Sequence, residues 1–172
     1  MKRLAMALAI SLAPGLSQTP PSLEAKAGKP KFFKLQPLEK KEIDSVKAQA
    51  AEPRAVGTHR PLDARSLDKG KWTKLSNGVH IWRLGIESPG AAGLRVRFTS
   101  FDAGAGKLWL HAQAGHGKPE VAGPYSGKGP YKDGDFWSDV VFSSSIVVEY
   151  QPAGSARKVP FRIPEISHLI RR

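Results

Sequence analysis

Three aspartates, Asp133, Asp135 and Asp139, stand in the stretch "KDGDFWSD", beside Phe136 and Trp137 and shortly after Tyr125 and Tyr131. Closely spaced carboxylates suggest calcium, which takes oxygen ligands from set positions of a loop, with a glycine at the sixth and a glutamate at the twelfth. In this stretch Gly134 is misplaced for that pattern and aromatic residues stand where ligands belong. Asp-Gly is also a strong hairpin-turn dipeptide. The simpler reading is a turn, with Asp133, Asp135 and Asp139 as the metal candidates and no cofactor expected beyond calcium at them. Tyr125, Tyr131, Phe136 and Trp137 are candidates either for stacking on a ligand or for packing. Trp82 and Trp109 sit inside strand-like runs, where core packing is the expectation.

Catalysis finds less support. None of the serines stands in a GxSxG elbow, and the five histidines, His59, His80, His111, His116 and His168, lie in no recognisable catalytic turn. His111 and His116 read as solvent-exposed loop residues. The chain has no cysteine, which removes disulfides, thiolate metal sites and a cysteine nucleophile together. No catalytic constellation can be assembled, so the chain by itself is not expected to be an enzyme.

The elements that would position these residues are short. "HIWRLGI", "GLRVRFTSF", "KLWLHAQ", "SIVVEYQP" and "VPFRIPEI" are rich in branched and aromatic residues and separated by Gly, Pro and Asp. Leu94, Val96 and Phe98 alternate with Arg95, Arg97 and Thr99, so one face is buried and the other wet. Ile146, Val148 and Tyr150 alternate in the same way with Val147 and Glu149, which predicts a wet face there too. The fold class is mainly β, an antiparallel β-sandwich of jelly-roll-like form. Ahead of it, Pro37 opens a short helix over about 38–51, within a domain of 38–172. Residues 18–37 are rich in Pro and Lys and read as a basic linker, anchored at most by Phe32 and Phe33. Residues 1–17 combine Lys2 and Arg3 with an apolar run ending at Pro14, the pattern of a cleaved secretory signal. That run is far short of the ~20 residues that span a bilayer. The expectation is a protein exported to the periplasm or beyond, without stable membrane insertion.

The net charge of +12 is unevenly distributed: 13 basic against 6 acidic residues from Lys26 to Lys74, and 12 against 8 from Leu75 to Arg172. Such charge favours anionic partners. No nucleic-acid motif with interleaved aromatics accompanies it, so nucleic acid is not the expected partner.

Taken in order, "GVHIWRLGIESPGAAGLRVRF", "KLWLHA", "GPYSGKGPYKDGDFWSD", "IVVEYQP" and "PFRIPEISHL" resemble the non-catalytic N-terminal region of secreted bacterial trypsin-like serine endopeptidases of the lysyl endopeptidase type. The resemblance covers about Leu38 to Leu169. It implies a β-domain, a pro-region serving as folding or targeting module, and a secreted serine protease domain as partner, in cis or in trans. It also implies that the GPY…FWS stretch carries no catalytic residue. The protease domain that the resemblance leads one to expect after "ISHL" is not in these 172 residues. Contacts would run through strand edges and the basic surface, with the C-terminal strand and Arg171-Arg172 closest to the protease. The rival expectation is an extracellular binder of polysaccharide or cell envelope that uses Tyr125, Tyr131 and Trp137.

Overall fold

The computed structural model describes residues 19–48, 56–112, 117–155 and 157–171 of the chain. The expected signal sequence at 1–17, the positions 49–51 expected to end the helix, His116 and Arg172 lie outside the described residues. Strands β1 (Phe32–Lys34), β2 (Gly57–Pro61), β3 (Lys71–Lys74), β4 (His80–Glu87), β5 (Gly93–Thr99), β6 (Lys107–His111), β7 (Val121–Tyr125), β8 (Phe136–Trp137), β9 (Ser145–Gln151) and β10 (Arg162–Leu169) carry the fold. Two helices, α1 (Pro21–Glu24) and α2 (Lys40–Ala48), and a 3-10 turn at Ala64–Lys69 complete it. In α2 the Glu42 carboxylate reaches back to accept from Glu39 N at 2.8 Å, satisfying a donor left free at the helix start.

Alternation along the strands decides which side chains meet. In β5, Leu94, Val96 and Phe98 are fully buried and point at the opposing sheet, while Arg95, Arg97 and Thr99 keep partial exposure. From the other side come Trp82, Leu84 and Ile86 of β4, Leu108 and Leu110 of β6, and Ile146, Val148 and Tyr150 of β9. The strands form one sheet in the order β1-β4-β9-β6-β7, with β3 also on β4, and a second in the order β2-β10-β5-β8. Every pairing is antiparallel except β1 on β4. The expected antiparallel sandwich is the observed fold. The strand nearest the C-terminus is not a free edge, however: β10 lies inside its sheet, hydrogen-bonded to β2 on one side and β5 on the other.

Where composition predicts a linker, the structure has a docked strap. Pro20, Pro21 and Ser22 are buried. The peptide N–H of Ser22 donates to Glu149 Oε1 at 2.8 Å, and its hydroxyl donates to Oε2 of the same carboxylate. His111 Nε2 hydrogen-bonds Glu149 Oε2 at 3.1 Å. The short helix α1 closes with Lys26 N on Leu23 O and Ala27 N on Ser22 O, with Lys26 left-handed at φ 49°, the usual shape of a helix C-terminus. Farther on, Arg83 Nη1 donates to Gly28 O at 2.7 Å, and β1 extends the sheet beside Gly85–Glu87.

The strap corrects two side-chain expectations. Val147 and Glu149, predicted wet, are fully buried, because α1 and its flanks cover the outer face of β9. His111, predicted exposed in a loop, is a buried residue of β6 that shares Glu149 with the strap. A charged group without water must have partners or its burial is strongly unfavourable. The strap supplies them. Removing the shared acceptor with Glu149→Ala should cost about 3–5 kcal/mol, and Ser22→Ala about 1–3 kcal/mol. Both are read as a lower urea midpoint, and unchanged midpoints in both variants would mean that the strap does not hold this face in solution.

Candidate functional site

The stretch that carries the sequence candidates runs from the end of β7 through β8 to the start of β9, and its side chains divide sharply by environment. Phe136 of β8 is 2% exposed. Its ring lies 5.1 Å edge-on from Phe101 and 5.4 Å from Phe98, and Phe98 and Phe101 both meet Phe161. Aromatic pairs at such spacings add roughly 0.5–1.5 kcal/mol beyond their area. Tyr125 lies 5.1 Å from Phe136. Its hydroxyl donates to Asp139 Oδ2 at 2.9 Å and accepts from Asp139 N at 2.8 Å. Burial, the main cause, together with the adjacent carboxylate, pushes its pKa well above the usual tyrosine value.

Trp137 is on the outer face, where it pairs with Arg97 across the β5–β8 ladder. The His59 ring is tilted against it at 4.9 Å and the Arg95 guanidinium lies 5.5 Å from its centroid. Ser138, fully buried, donates to Asp139 O and accepts from Val96 N, which carries the β5 pairing past the end of β8. In "FWS", then, the Phe fills the core, the Trp covers the outer face, and the Ser continues the ladder.

The three aspartates do not converge. Asp133 Oδ1 accepts from Asp135 N at 3.0 Å, a turn-forming bond. Asp135 meets Arg97 through two oxygens at 3.0 and 2.9 Å. Hydrogen bonding by Arg97 is the largest influence that lowers the Asp135 pKa. Arg97 also donates to Glu165 at 3.0 Å, so its guanidinium holds its proton more firmly than usual, with the Asp135 bond the leading cause. Asp139 is occupied by Tyr125. Among the described residues no group of three or more His, Asp or Glu side chains is placed to hold a metal ion.

Tyr131 is the exception in the stretch. It is 74% exposed.

Two of the segments quoted above meet in the structure. Ser88 Oγ, from "ESPG", is 2.7 Å from His168 Nδ1, from "ISHL", and accepts from Arg60 Nη1 at 2.7 Å. A serine–histidine pair is the start of a nucleophile. Here Ser88 is fully buried and His168 2% exposed, and the hydroxyl oxygen is already engaged by a guanidinium. The pair joins β2, β10 and the β4–β5 turn, and is not reachable by a substrate.

The chain matches the family model of the lysyl endopeptidase N-terminal domain over residues 31–170. It belongs to that family. The match spans both sheets of the sandwich and places the chain in a protease-associated domain that is distinct from the catalytic one. No curated protein and no solved structure matches it. No helix among the described residues is long and apolar enough to cross a membrane.

What sequence reading missed in this lysyl endopeptidase N-terminal domain is the set Ser22, His111 and Glu149. One signal was available. "IVV" in β9 and "LWL" in β6 are apolar at successive positions, the mark of strands buried on both faces.

The His168 contact has a pH consequence. Burial, then the Arg60 charge, lower the proton affinity of His168, with Glu42 acting weakly in the opposite sense. The unfolded chain therefore binds a proton that the native state resists. Stability is full above the ordinary histidine pKa of about 6.5 and falls as pH drops below it. Thermal midpoints between pH 8 and pH 5 should show this fall, and His168→Asn should flatten it. An identical slope in both proteins would refute the linkage. Separately, Tyr125→Phe keeps the ring against Phe136 and should cost about 0.5–1.5 kcal/mol from the lost hydrogen bonds to Asp139, measured by urea unfolding.

Proposed function

We propose that this domain is exported and acts as the pro-region of a secreted trypsin-like serine endopeptidase, binding the catalytic domain and favouring its native state. The observation that carries the reading is the family match across residues 31–170. It is supported by the chemistry of the sandwich, whose two most suggestive polar groupings, Ser88–His168 and Ser22–Glu149–His111, are enclosed and used for internal bracing. The order of the paired strands, with β10 between β2 and β5 and β9 between β4 and β6, supports the jelly-roll reading of the fold. The N-terminal sequence supports export, and a protease partner in cis or in trans fits the same reading.

A partner that binds only the folded state stabilises it by mass action, about 2.7 kcal/mol at a concentration one hundred times the dissociation constant. The reading therefore fixes what a folding assay returns. Denatured lysyl endopeptidase catalytic domain is diluted into buffer with and without the domain, and recovered peptidase activity on a lysyl substrate is measured. The domain should raise the yield of active enzyme and raise the thermal midpoint of the folded catalytic domain. Equal yields and equal midpoints with and without it would sink the proposal. The polysaccharide reading has less support from the side chains. Tyr125 is tied to Asp139 and Trp137 is flanked by His59 and Arg95, which leaves Tyr131 as the one well-exposed ring of the three candidates.

A further inference from the structure

We infer that Tyr131 is the anchor by which the domain docks on its protease, seating in an apolar recess with an acidic rim. This rests on the pro-region reading and adds to it the contact and the chemistry of the surface it meets.

The inference starts from how firmly the loop before β8 is built. Gly127 N bonds Gly104 O at 2.8 Å, and Gly127 O accepts from Ala103 N at 2.7 Å. Gly134 N bonds Lys128 O at 2.9 Å, and Gly134 O accepts from Phe101 N at 3.0 Å. Between these ties a β-turn closes from Lys132 N to Gly129 O at 3.2 Å, with Pro130 and Tyr131 at its corners. Pro at the first corner pre-sets the backbone angle such a turn needs. Gly129 lies directly on the Phe136 ring, where a Cβ would stand 2.5 Å from two ring carbons. Lys132 is held left-handed at φ 63°, a conformation unfavourable for a residue with a side chain.

The loop is thus pinned to the aromatic core and accepts backbone strain at a lysine. None of this buries Tyr131. Of the large hydrophobic side chains exposed among the described residues it is the most exposed, at 74% against 48% for Val56, 40% for Phe142 and 39% for Val121. A large amphipathic ring on a backbone that is already ordered loses little entropy on binding, and tyrosine is among the residues that dominate interface energies.

Charge selects the partner. Lys128 and Lys132 flank the ring, and no ion pair engages either among the described residues. Of the two nearby acids, both exposed, Asp135 is paired with Arg97 and Asp133 accepts from Asp135 N. Lys128 and Lys132 outnumber Asp133, the one nearby acid without a cationic partner among the described residues, so the charge balance around Tyr131 is positive, which suits an acidic rim on a protein.

The test is direct binding of the full domain to a lysyl endopeptidase catalytic domain whose catalytic serine is replaced by alanine, so that the lysine-rich domain is not digested. Tyr131→Ala should weaken binding at least about tenfold, with circular dichroism and the thermal midpoint unchanged, and Tyr131→Phe should stay within about twofold of the parent. Reversing both lysines (Lys128→Glu, Lys132→Glu) should slow association, more so at low salt. If the parent binds and Tyr131→Ala binds equally well, the anchor is wrong and the pro-region reading stands. If the parent does not bind the catalytic domain at all, both fall. Retention of the parent on insoluble chitin or cellulose that Tyr131→Ala loses, with protease binding unaffected, would overturn the anchor in favour of a glycan contact.

Discussion

The cluster of Phe98, Phe101, Phe136 and Phe161 is the joint on which the rest of this sandwich depends. Phe98 is in β5, Phe101 in the loop directly after it, Phe136 in β8, and Phe161 just ahead of β10, so three separate stretches of chain share one packed volume. Trp82 and Tyr150 of the opposite sheet close on Phe161 at 5.8 Å each. Interiors are packed like molecular crystals, so a ring in such a cluster fixes its neighbours' backbones as well as their side chains. The loop that carries Tyr131 inherits its shape from this: it touches the cluster through Gly129 on Phe136 and through Gly134 on the Phe101 backbone.

The outer face of the larger sheet obeys a different constraint. Glu149 is a fully buried acidic side chain, and a buried polar group is tolerated only where its hydrogen bonds are met, which makes its geometry strict. The consequence is specificity: only a segment that offers an N–H and a hydroxyl at the position of Ser22 can close over it. Among the described residues no buried acid of this kind holds a strap over the opposite outer face. Its polar residues are instead ordered laterally, Arg97 between Asp135 and Glu165, and Trp137 between His59 and Arg95.

What the sequence made legible follows from the range of the forces involved. Alternation is local, so β5 and its buried Leu94, Val96 and Phe98 could be read from period alone, as could the antiparallel character set by short strands and turn residues. The helix at Lys40–Ala48 was signalled by Pro37 and its helix-forming run. The strap was not legible, because Ser22 and Glu149 are 127 residues apart and nothing in "TPPSLEAKAG" differs in composition from an unstructured linker. The same separation in kind hid Ser88–His168, which spans 80 residues. For the stretch from Tyr125 to Trp137 the residue types were legible but their exposure was not. Whether an aromatic ring faces the core, the sheet surface or solvent depends on which strands flank it, and that is a tertiary property.

The place of β10 has a consequence for how the domain comes into being. Its residues Glu165–Leu169 bridge β2 and β5, and among the described residues β2 pairs with no other strand. Gly57 must wait for Leu169 before it has a ladder partner. A chain delivered from its N-terminus can order β4–β9 and the hairpin of β6 and β7 early, yet the smaller sheet stays open until its last-emerging strand arrives in the middle. Contacts of such separation are slow to form. Completion of the smaller sheet therefore requires the polypeptide through residue 169, so the finished surface of that sheet exists only after β10 has been made.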